Sequence, residues 1–408
     1  MSHQMGSSGI NCRICSSGLG IPKLTLPKMP LTDDFVSVAQ PDRREFLADI
    51  SIYQCDVCGL VQNPVDFDHE GYYKDYAYTS GHSAFVQHFM AGYAAALLRI
   101  YRELHGRSAS SIIEAGSGDG EQLWQFKELG VSTLCGVEPS TSLTEIANKR
   151  GVKTELGFFD SDYAKHTTRR YDICLSSYTF DHVRDPRDYL RAAQVLLTEG
   201  GLLSFEVHDL DVISHRSEFC LFEHEHTIYL NGQQASKLLF ECGFEVVAIN
   251  PVAADAVRGN SLIVVAKKLP RLNKDHSLEY SAADMDGTQR RIQALIDRLN
   301  DWVLRIPPNE RLVGFGVGGR GVMTLAALQE PSRFCAMFDS NYVSSHLLTP
   351  KTRIPVVGPE QWPEYRDAFC LVYSFGYFQE IRQQLLNVGF DSNRIISLSY
   401  FFEAEPTV

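Results

Sequence analysis

The stretch Ser111-Ile-Ile-Glu-Ala-Gly-Ser-Gly-Asp-Gly120 constrains the fold of this chain more than any other. A short apolar run ends in an acid, and glycines follow at alternate positions, Gly116, Gly118 and Gly120. Glu121 to Gly130 then reads as a helix, with Leu123, Trp124 and Phe126 for packing. Thr133-Leu-Cys-Gly-Val-Glu138 is a second apolar run that also ends in an acid. Strand, glycine loop, helix, strand and terminal acid make up a nucleotide-binding half of an α/β sheet. Glycine belongs where a backbone must approach a ligand that a Cβ would strike. Glu138 can accept hydrogen bonds from both hydroxyls of a ribose.

Charge narrows the choice of nucleotide. A dinucleotide loop is spaced G-x-G-x-x-G and sets helix amides against a pyrophosphate. Here the spacing is G-x-G-x-G, and Glu114 stands just ahead of it. A carboxylate there repels a pyrophosphate and suits the sulfonium and ammonium groups of S-adenosylmethionine. Loop, Glu114 and Glu138 together resemble the class I S-adenosylmethionine-dependent methyltransferases. That resemblance implies adenine contacts from Gly157-Phe-Phe-Asp160: stacking on Phe159, and Asp160 accepting from the amino group.

At 408 residues the chain has room for two or three domains. Its net charge of -12 argues against general nucleic-acid binding, and no apolar run approaches the roughly 18 residues of a membrane span. With no apolar signal segment at the start, a cytoplasmic protein is expected. Ten cysteines in such a chain are poor disulfide candidates. Four fall in two pairs, Cys12-x-x-Cys15 and Cys55-x-x-Cys58, and two such turns complete a tetrahedral zinc site. Residues 16 to 54 separate the pairs, more than the usual spacing of about 15–20, so an excursion must leave and return. Four thiolates leave no open coordination position, so this zinc folds the chain rather than catalysing. Redox use of one pair is the competing reading.

Beyond Glu138 helices and strands alternate as far as Lys267. We expect a helix over Pro186 to Leu197 that ends at Gly200-Gly201, and a strand from Leu202 to Val207. The pattern resembles the seven-stranded methyltransferase sheet, parallel except for one inserted strand. After a polar linker, Leu312-Val-Gly-Phe-Gly-Val-Gly-Gly-Arg-Gly321 repeats the glycine motif with Arg320 beside it, which suits phosphate. The fold expected is therefore α/β: a small zinc-binding module (1–72), a doubly wound class I methyltransferase domain (73–268) and a C-terminal Rossmann-like domain for a nucleotide sugar (269–408).

Phe222-Glu-His-Glu-His-Thr-Ile-Tyr229 crowds four ionisable side chains where the carboxyl edge of the sheet opens to ligands. A histidine that titrates near neutrality can remove a proton alpha to a ketone, and a donor such as His182 or a tyrosine can support the enolate. A metal role lacks the H-E-x-x-H spacing. The order of these features resembles the sugar C-methyltransferases that act on nucleotide-linked deoxysugars. The resemblance rests on the four cysteines, Glu114 to Gly120, Thr179-Phe-Asp-His182, Glu225-His226, and Gly314 to Gly321 with Ile354-Pro-Val-Val-Gly358. It implies that His226 takes the C3 proton of a 4-keto sugar and that Glu225 supports it. His182 and Tyr76 or Tyr78 then stabilise the enolate or shuttle protons, with Tyr178 and His224 beside the substrate. Gly316, Gly318, Gly319 and Arg320 hold the nucleotide diphosphate. Glu223 departs from the tyrosine that relatives carry two residues before the Glu-His pair. Methylation of RNA, protein, oxygen or nitrogen, and non-catalytic binding, are the competing functions. Oligomeric state is not legible.

Overall fold

The computed structural model describes residues 10–66, 69–74, 84–252, 259–270, 282–340 and 346–402. They gather into two compact units, each drawn from three stretches of chain. Met1–Gly20, Tyr53–Asp211 and Glu225–Ala283 form one; Ile21–Ile52, Val212–His224 and Asp284–Val408 form the other. The excursion between the cysteine pairs thus belongs to the second unit, as does the first part of the 222–229 stretch.

The first unit is built on seven strands: β1 (Ser111–Ala115), β2 (Thr133–Glu138), β3 (Thr154–Leu156), β4 (Tyr171–Ser177), β5 (Leu197–His208), β6 (Phe244–Ile249) and β7 (Ser261–Lys268). Their order is β3-β2-β1-β4-β5-β7-β6, and only β7 runs antiparallel to its neighbours. The central strands are apolar throughout because helices cover both faces of the sheet. On one face Phe89, Tyr93 and Leu97 of α1 (Ala84–His105) pack with Phe126 of α2 (Glu121–Glu128). On the other, Tyr189 and Leu190 of α3 (Pro186–Leu196) pack with Phe180 and Phe205. Each fully buried aromatic contributes about 1.5–3 kcal/mol. At the start of β4, Asp172 accepts from Tyr101, Arg107 and the Ser110 amide, each at 2.8 Å, and so ties the strand to the end of α1.

One expected boundary moves. Gly200-Gly201 does not end α3; both glycines lie inside β5, which begins at Leu197. Gly200 has φ +69, and a Cβ on Gly201 would lie 3.1 Å from the Asp172 carbonyl oxygen. The pairing of β5 with β4 shifts register here, so the glycines mark a bulge rather than a stop.

Tyr53-Gln54 pairs with Val61-Gln62, which pairs in turn with Ile228-Tyr229. The second cysteine turn therefore holds the residues that follow His226.

In the second unit five strands, β8 (Leu312–Phe315), β9 (Phe334–Phe338), β10 (Val356–Val357), β11 (Phe369–Val372) and β12 (Ile395–Ser397), form a parallel sheet in the order β10-β9-β8-β11-β12. Phe338 stacks on Trp362 in its core, with ring centroids 5.7 Å apart. The helix Met285–Arg305 buries Ile292, Leu295, Leu299 and Val303, the i, i+3, i+7 stripe expected of it.

Candidate active site

The glycine loop follows β1. Gly116 has φ +63, and a Cβ there would lie 2.3 Å from Thr179 Oγ1, so the loop lies directly against the turn that follows β4. Gly118 has φ +52 but no heavy atom within 4 Å of a would-be Cβ. That open space over the loop is where a ligand can approach the backbone. Beneath it Glu114 is buried, and its Oε2 has no hydrogen-bond partner. Burial, with Asp119 and Glu138 nearby, raises its pKa well above the usual carboxylate value. Glu138 accepts from the amides of Gly118 and Ser140, both at 2.8 Å; burial raises its pKa and those two bonds oppose the rise. A buried carboxylate without a partner is costly unless a cation or donor meets it. The loop therefore fits S-adenosylmethionine, which brings positive charge and ribose hydroxyls.

Of the adenine residues, Asp160 caps the short helix after it by accepting from the Tyr163 amide at 2.8 Å. Phe159 is 9% exposed and packs on Tyr189 in the core, while Phe158 is 38% exposed. The side chains of a turn alternate, and Phe159 is the one turned inward.

The ionisable cluster gathers at the carboxyl ends of β4 and β5. Asp181 and His182 lie on a short turn, Phe180–His182, and His208 ends β5. Thr227 fastens the next segment to that turn: its amide donates to the Asp181 carbonyl at 2.7 Å, and its hydroxyl donates to the Val183 carbonyl at 2.6 Å. His226 is thereby set among three partners. Its ring centroid is 4.7 Å from that of His182 and 4.9 Å from that of His208, and its ligating nitrogen lies within 4.8 Å of Asp181 and His208.

The tautomers follow from the acceptors. A carboxylate only accepts, so the nitrogen facing Asp181 carries the hydrogen. His208 donates from Nδ1 to Asp181 at 3.1 Å, which makes Nε2 its basic nitrogen. His182 points Nε2 at Asp181 from 3.8 Å, and its Nδ1 accepts from the Tyr73 hydroxyl at 2.7 Å. Burial lowers the His182 pKa to about 4, against the pull of Asp181, so this ring is neutral at neutral pH. Burial pushes Asp181 upward, but the His208 bond and the surrounding imidazoles bring it below the usual range. Asp181 is therefore a fixed negative charge in the cluster. Glu225 is buried beside it and draws His182 toward its charged form. Tyr178 has a strained φ of +48; its ring lies 4.5 Å from His208 and its hydroxyl 2.7 Å from Ser261 Oγ.

Tyr73, Asp181 and His208 carry no motif of their own. Asp181 was legible only as part of Thr179-Phe-Asp-His182, and Tyr73 only as part of a tyrosine-rich run. Tyr76 and Tyr78 lie outside the described residues.

Cys12, Cys15, Cys55 and Cys58 bring their sulfurs within 4.8 Å of one another. The Cys12–Cys58 and Cys15–Cys55 separations are both 3.5 Å. The edge of a zinc–thiolate tetrahedron is about 3.8 Å, given Zn–S near 2.3 Å. Gln62 and the Ile14 amide donate to Cys12 Sγ, as suits a thiolate. The site fits structural zinc.

In the second unit the loop after β8 leads into the helix Gly319–Ala327. Arg320 donates to Glu218 at 3.0 Å and lies over the Phe375 ring at 4.6 Å. Glu223 reaches the same loop: a Cβ on Gly319 would lie 2.4 Å from its Oε1. Gly316 has φ +101, and Gly318 has open space around it. His224 donates from Nε2 to the Met29 carbonyl at 3.0 Å, with Phe46 against its ring. The arginine seen in the sequence thus has a buried carboxylate as its counter-ion.

Residues 86–249 match a family described as a methyltransferase domain, and residues 12–73 match one described as a putative zinc binding domain. The C-methyltransferase NovU of Streptomyces niveus is 24% identical over 396 residues, covering 91% of this chain and 90% of its own length. Among solved structures, the plantazolicin methyltransferase BpumL in complex with SAH is 15% identical, covers 45% of this chain and 84% of its own, and has a TM-score of 0.37. A possible histamine N-methyltransferase from Thermotoga maritima is 23% identical, with coverage of 45% and 91% and a TM-score of 0.33. No helix among the described residues is long and apolar enough to cross a membrane. The chain is an S-adenosylmethionine-dependent methyltransferase with a putative zinc binding domain ahead of its methyltransferase domain, and over most of its length it is similar to a C-methyltransferase.

Proposed function

We propose that the protein methylates a carbon beside the ketone of a nucleotide-linked 4-keto-deoxysugar, with His226 as the base. The observation that carries this reading is the buried imidazole of His226 clustered with the anionic Asp181, on a segment that Thr227 fastens to the turn touching the cofactor loop. S-adenosylmethionine, when bound, supplies an electrophilic methyl group. Carbon becomes a nucleophile only after it loses a proton, which calls for a base. His226 accepts that proton, and Asp181 offsets the charge it acquires. The one N–H of neutral His182, on Nε2 and 3.8 Å from Asp181, is the donor that turns to the enolate oxygen, while Tyr73 holds Nδ1. Adenine stacking passes from Phe159 to the exposed ring of Phe158.

We also infer that the loop from Gly316 to Gly321 binds the nucleotide diphosphate, with Arg320 exchanging Glu218 for phosphate. The division at 72 and 268, and a cytoplasmic compartment suited to unpaired thiols, complete the reading.

The test is incubation with labelled S-adenosylmethionine and dTDP-, GDP- or CDP-linked 4-keto-6-deoxysugars. We expect methyl on carbon, and loss of turnover by at least a thousandfold in His226→Ala with cofactor binding retained. Methyl on oxygen or nitrogen rejects the mechanism.

A further inference from the structure

We propose that Arg13, which lies between the first two zinc cysteines, is a positioning residue for methyl transfer: its guanidinium fixes the place of His182 relative to His226. The inference rests on the reading of His226 as base and His182 as donor. Proton removal and enolate support act on one substrate at once, so the two rings have to keep a set separation. Their centroids are 4.7 Å apart and the ring planes meet at 89°. Neither ring is placed by a long helix or strand: His182 ends the short turn Phe180–His182, and His226 precedes the two-residue strand Ile228–Tyr229. Hydrogen bonds from outside the two segments must hold them.

Arg13 supplies such bonds. Its Nε donates to the Asn63 carbonyl at 3.0 Å, Nη1 to the Arg184 carbonyl at 3.0 Å, and Nη2 to Asp66 at 2.8 Å. The other oxygen of Asp66 accepts from Arg184 Nη2 at 2.8 Å, so the carboxylate joins both arginines. Both carbonyls sit beside partners of Thr227. The Asn63 amide donates to the Thr227 carbonyl at 3.0 Å, and Thr227 donates to the carbonyls of Asp181 and Val183. A closed ring results, from Arg13 to Asn63, Thr227, Val183 and, through Arg184, back to Arg13. His226 comes one residue before Thr227 in that ring, and His182 one residue before Val183. The Arg13 side chain is 8% exposed, so a carbonyl that loses it is poorly supplied with water. Its own place is set from the cysteine side: the Arg13 amide donates to Gln62 Oε1 at 2.9 Å, and Gln62 Nε2 donates to Cys12 Sγ at 3.2 Å. Arginine is required by its shape. A planar fork of N–H donors reaches two carbonyls and a carboxylate in fixed directions, which an ammonium on a flexible stem does not. These three partners lie outside the glycine loop, so cofactor binding should not depend on Arg13.

The first test needs no sugar and reads geometry. In the full-length, zinc-loaded protein with S-adenosylhomocysteine bound and labelled histidine rings, nuclear magnetic resonance detects the contact between His182 and His226 as a nuclear Overhauser effect. Arg13→Ala should weaken it severalfold, with zinc content and affinity for S-adenosylhomocysteine retained. Arg13→Lys, which keeps the charge and loses the fork, replaces it where the alanine variant does not fold, with the same expectation. An unaltered contact overturns the proposal. So does loss of zinc or of cofactor affinity in step with the contact, because Arg13 would then only support the fold. The second test uses whichever sugar of the panel above turns over. A misplacement of about 1 Å can cost about a hundredfold in rate, so Arg13→Ala should lower kcat about ten- to a hundredfold with little change in KM. Added guanidinium should restore part of that rate, and added ammonium should not. Unaltered kcat, a rise in KM alone, or rescue no better with guanidinium than with ammonium overturns it. Failure of the base reading is distinct: turnover that survives His226→Ala removes the base, and the ring contact still reports whether Arg13 sets the geometry.

Discussion

Replacing Gly118 with alanine separates the cofactor role of the loop from its structural role. At φ +52 alanine accepts a left-handed backbone at about 1–2 kcal/mol, and no protein atom lies within 4 Å of the new methyl. For a unit of this size each kcal/mol moves Tm by about 2–4 °C, so the free protein should lose only a few degrees. Gly116→Ala is different, because the new Cβ would meet three atoms of Thr179 at 2.3, 2.7 and 3.0 Å. Thr179 must rotate and lose its bond to the Ser177 carbonyl, so the total cost is about 2–4 kcal/mol. The assay is thermal unfolding with and without S-adenosylhomocysteine at a hundredfold excess over Kd, worth about 2.7 kcal/mol to the wild type. A methyl group in the ligand's space that weakens binding a hundredfold reduces that gain to about 0.4 kcal/mol. We expect Gly118→Ala to unfold near the wild type yet barely respond to ligand. Gly116→Ala should unfold earliest and regain stability when combined with Thr179→Ala. A Gly118→Ala protein that binds like the wild type would refute the placement of the cofactor over this loop.

Three further outcomes follow from the same geometry. Glu114 has a raised pKa and meets a cation, so binding of S-adenosylmethionine favours its ionised form and releases protons below that raised value. Calorimetry in buffers of different ionisation enthalpy should detect this release, and Glu114→Gln should abolish it and weaken binding about tenfold or more. Removing zinc should do more than unfold a module, because Asn63 donates to the Thr227 carbonyl and Val61-Gln62 pairs with Ile228-Tyr229; Cys55→Ser should lose one zinc per chain and reduce turnover together with protection of the Thr227 and Ile228 amides from exchange. Asp172 is held below the usual carboxylate range against burial by Arg107, Ser110 and Tyr101. Its stabilisation is present above about pH 4 and fades as pH falls toward its folded value, and Asp172→Ala should cost about 3 kcal/mol in urea unfolding at pH 7, a cost that begins to shrink only below about pH 4.

The cofactor half was legible because its signal is local. Gly116, Gly118, Gly120, Glu114 and Glu138 fall within 25 residues, and their meaning depends on spacing and charge. The cysteine pairs read equally well, for the same reason. Tyr73, Asp181 and His208 did not, because strand order alone brings these distant positions to the sheet edge where His226 lies. Gly200-Gly201 looked like a stop because glycine marks both helix ends and bulges, and only the pairing partner separates the two. Phe158 and Phe159 differ by one position, and which of them faces the core depends on the direction in which the chain leaves β3. Arg320 reads as a phosphate ligand until Glu218, 102 positions away, is seen beside it.

Charge is what connects the cofactor loop to the base cluster. Around the loop, burial and the neighbouring Asp119 and Glu138 raise the cost of ionising Glu114, and a cationic ligand relieves that cost. Around His226 an ionised carboxylate, Asp181, faces three imidazoles, of which His182 is held neutral. On the mechanism proposed above, proton transfer to His226 creates an imidazolium beside that anion, and the enolate forms on the side of the bound sulfonium. Each new charge has a counter-charge already in place, so the site need not reorganise as the reaction proceeds. Replacing Asp181 with asparagine removes one of the two counter-charges and keeps the shape. On this reasoning it slows proton removal from carbon more than it weakens cofactor binding, and the difference shows as a fall in the rate of C3–H exchange at unaltered affinity for S-adenosylhomocysteine. Equal losses in both would mean that Asp181 only supports the fold.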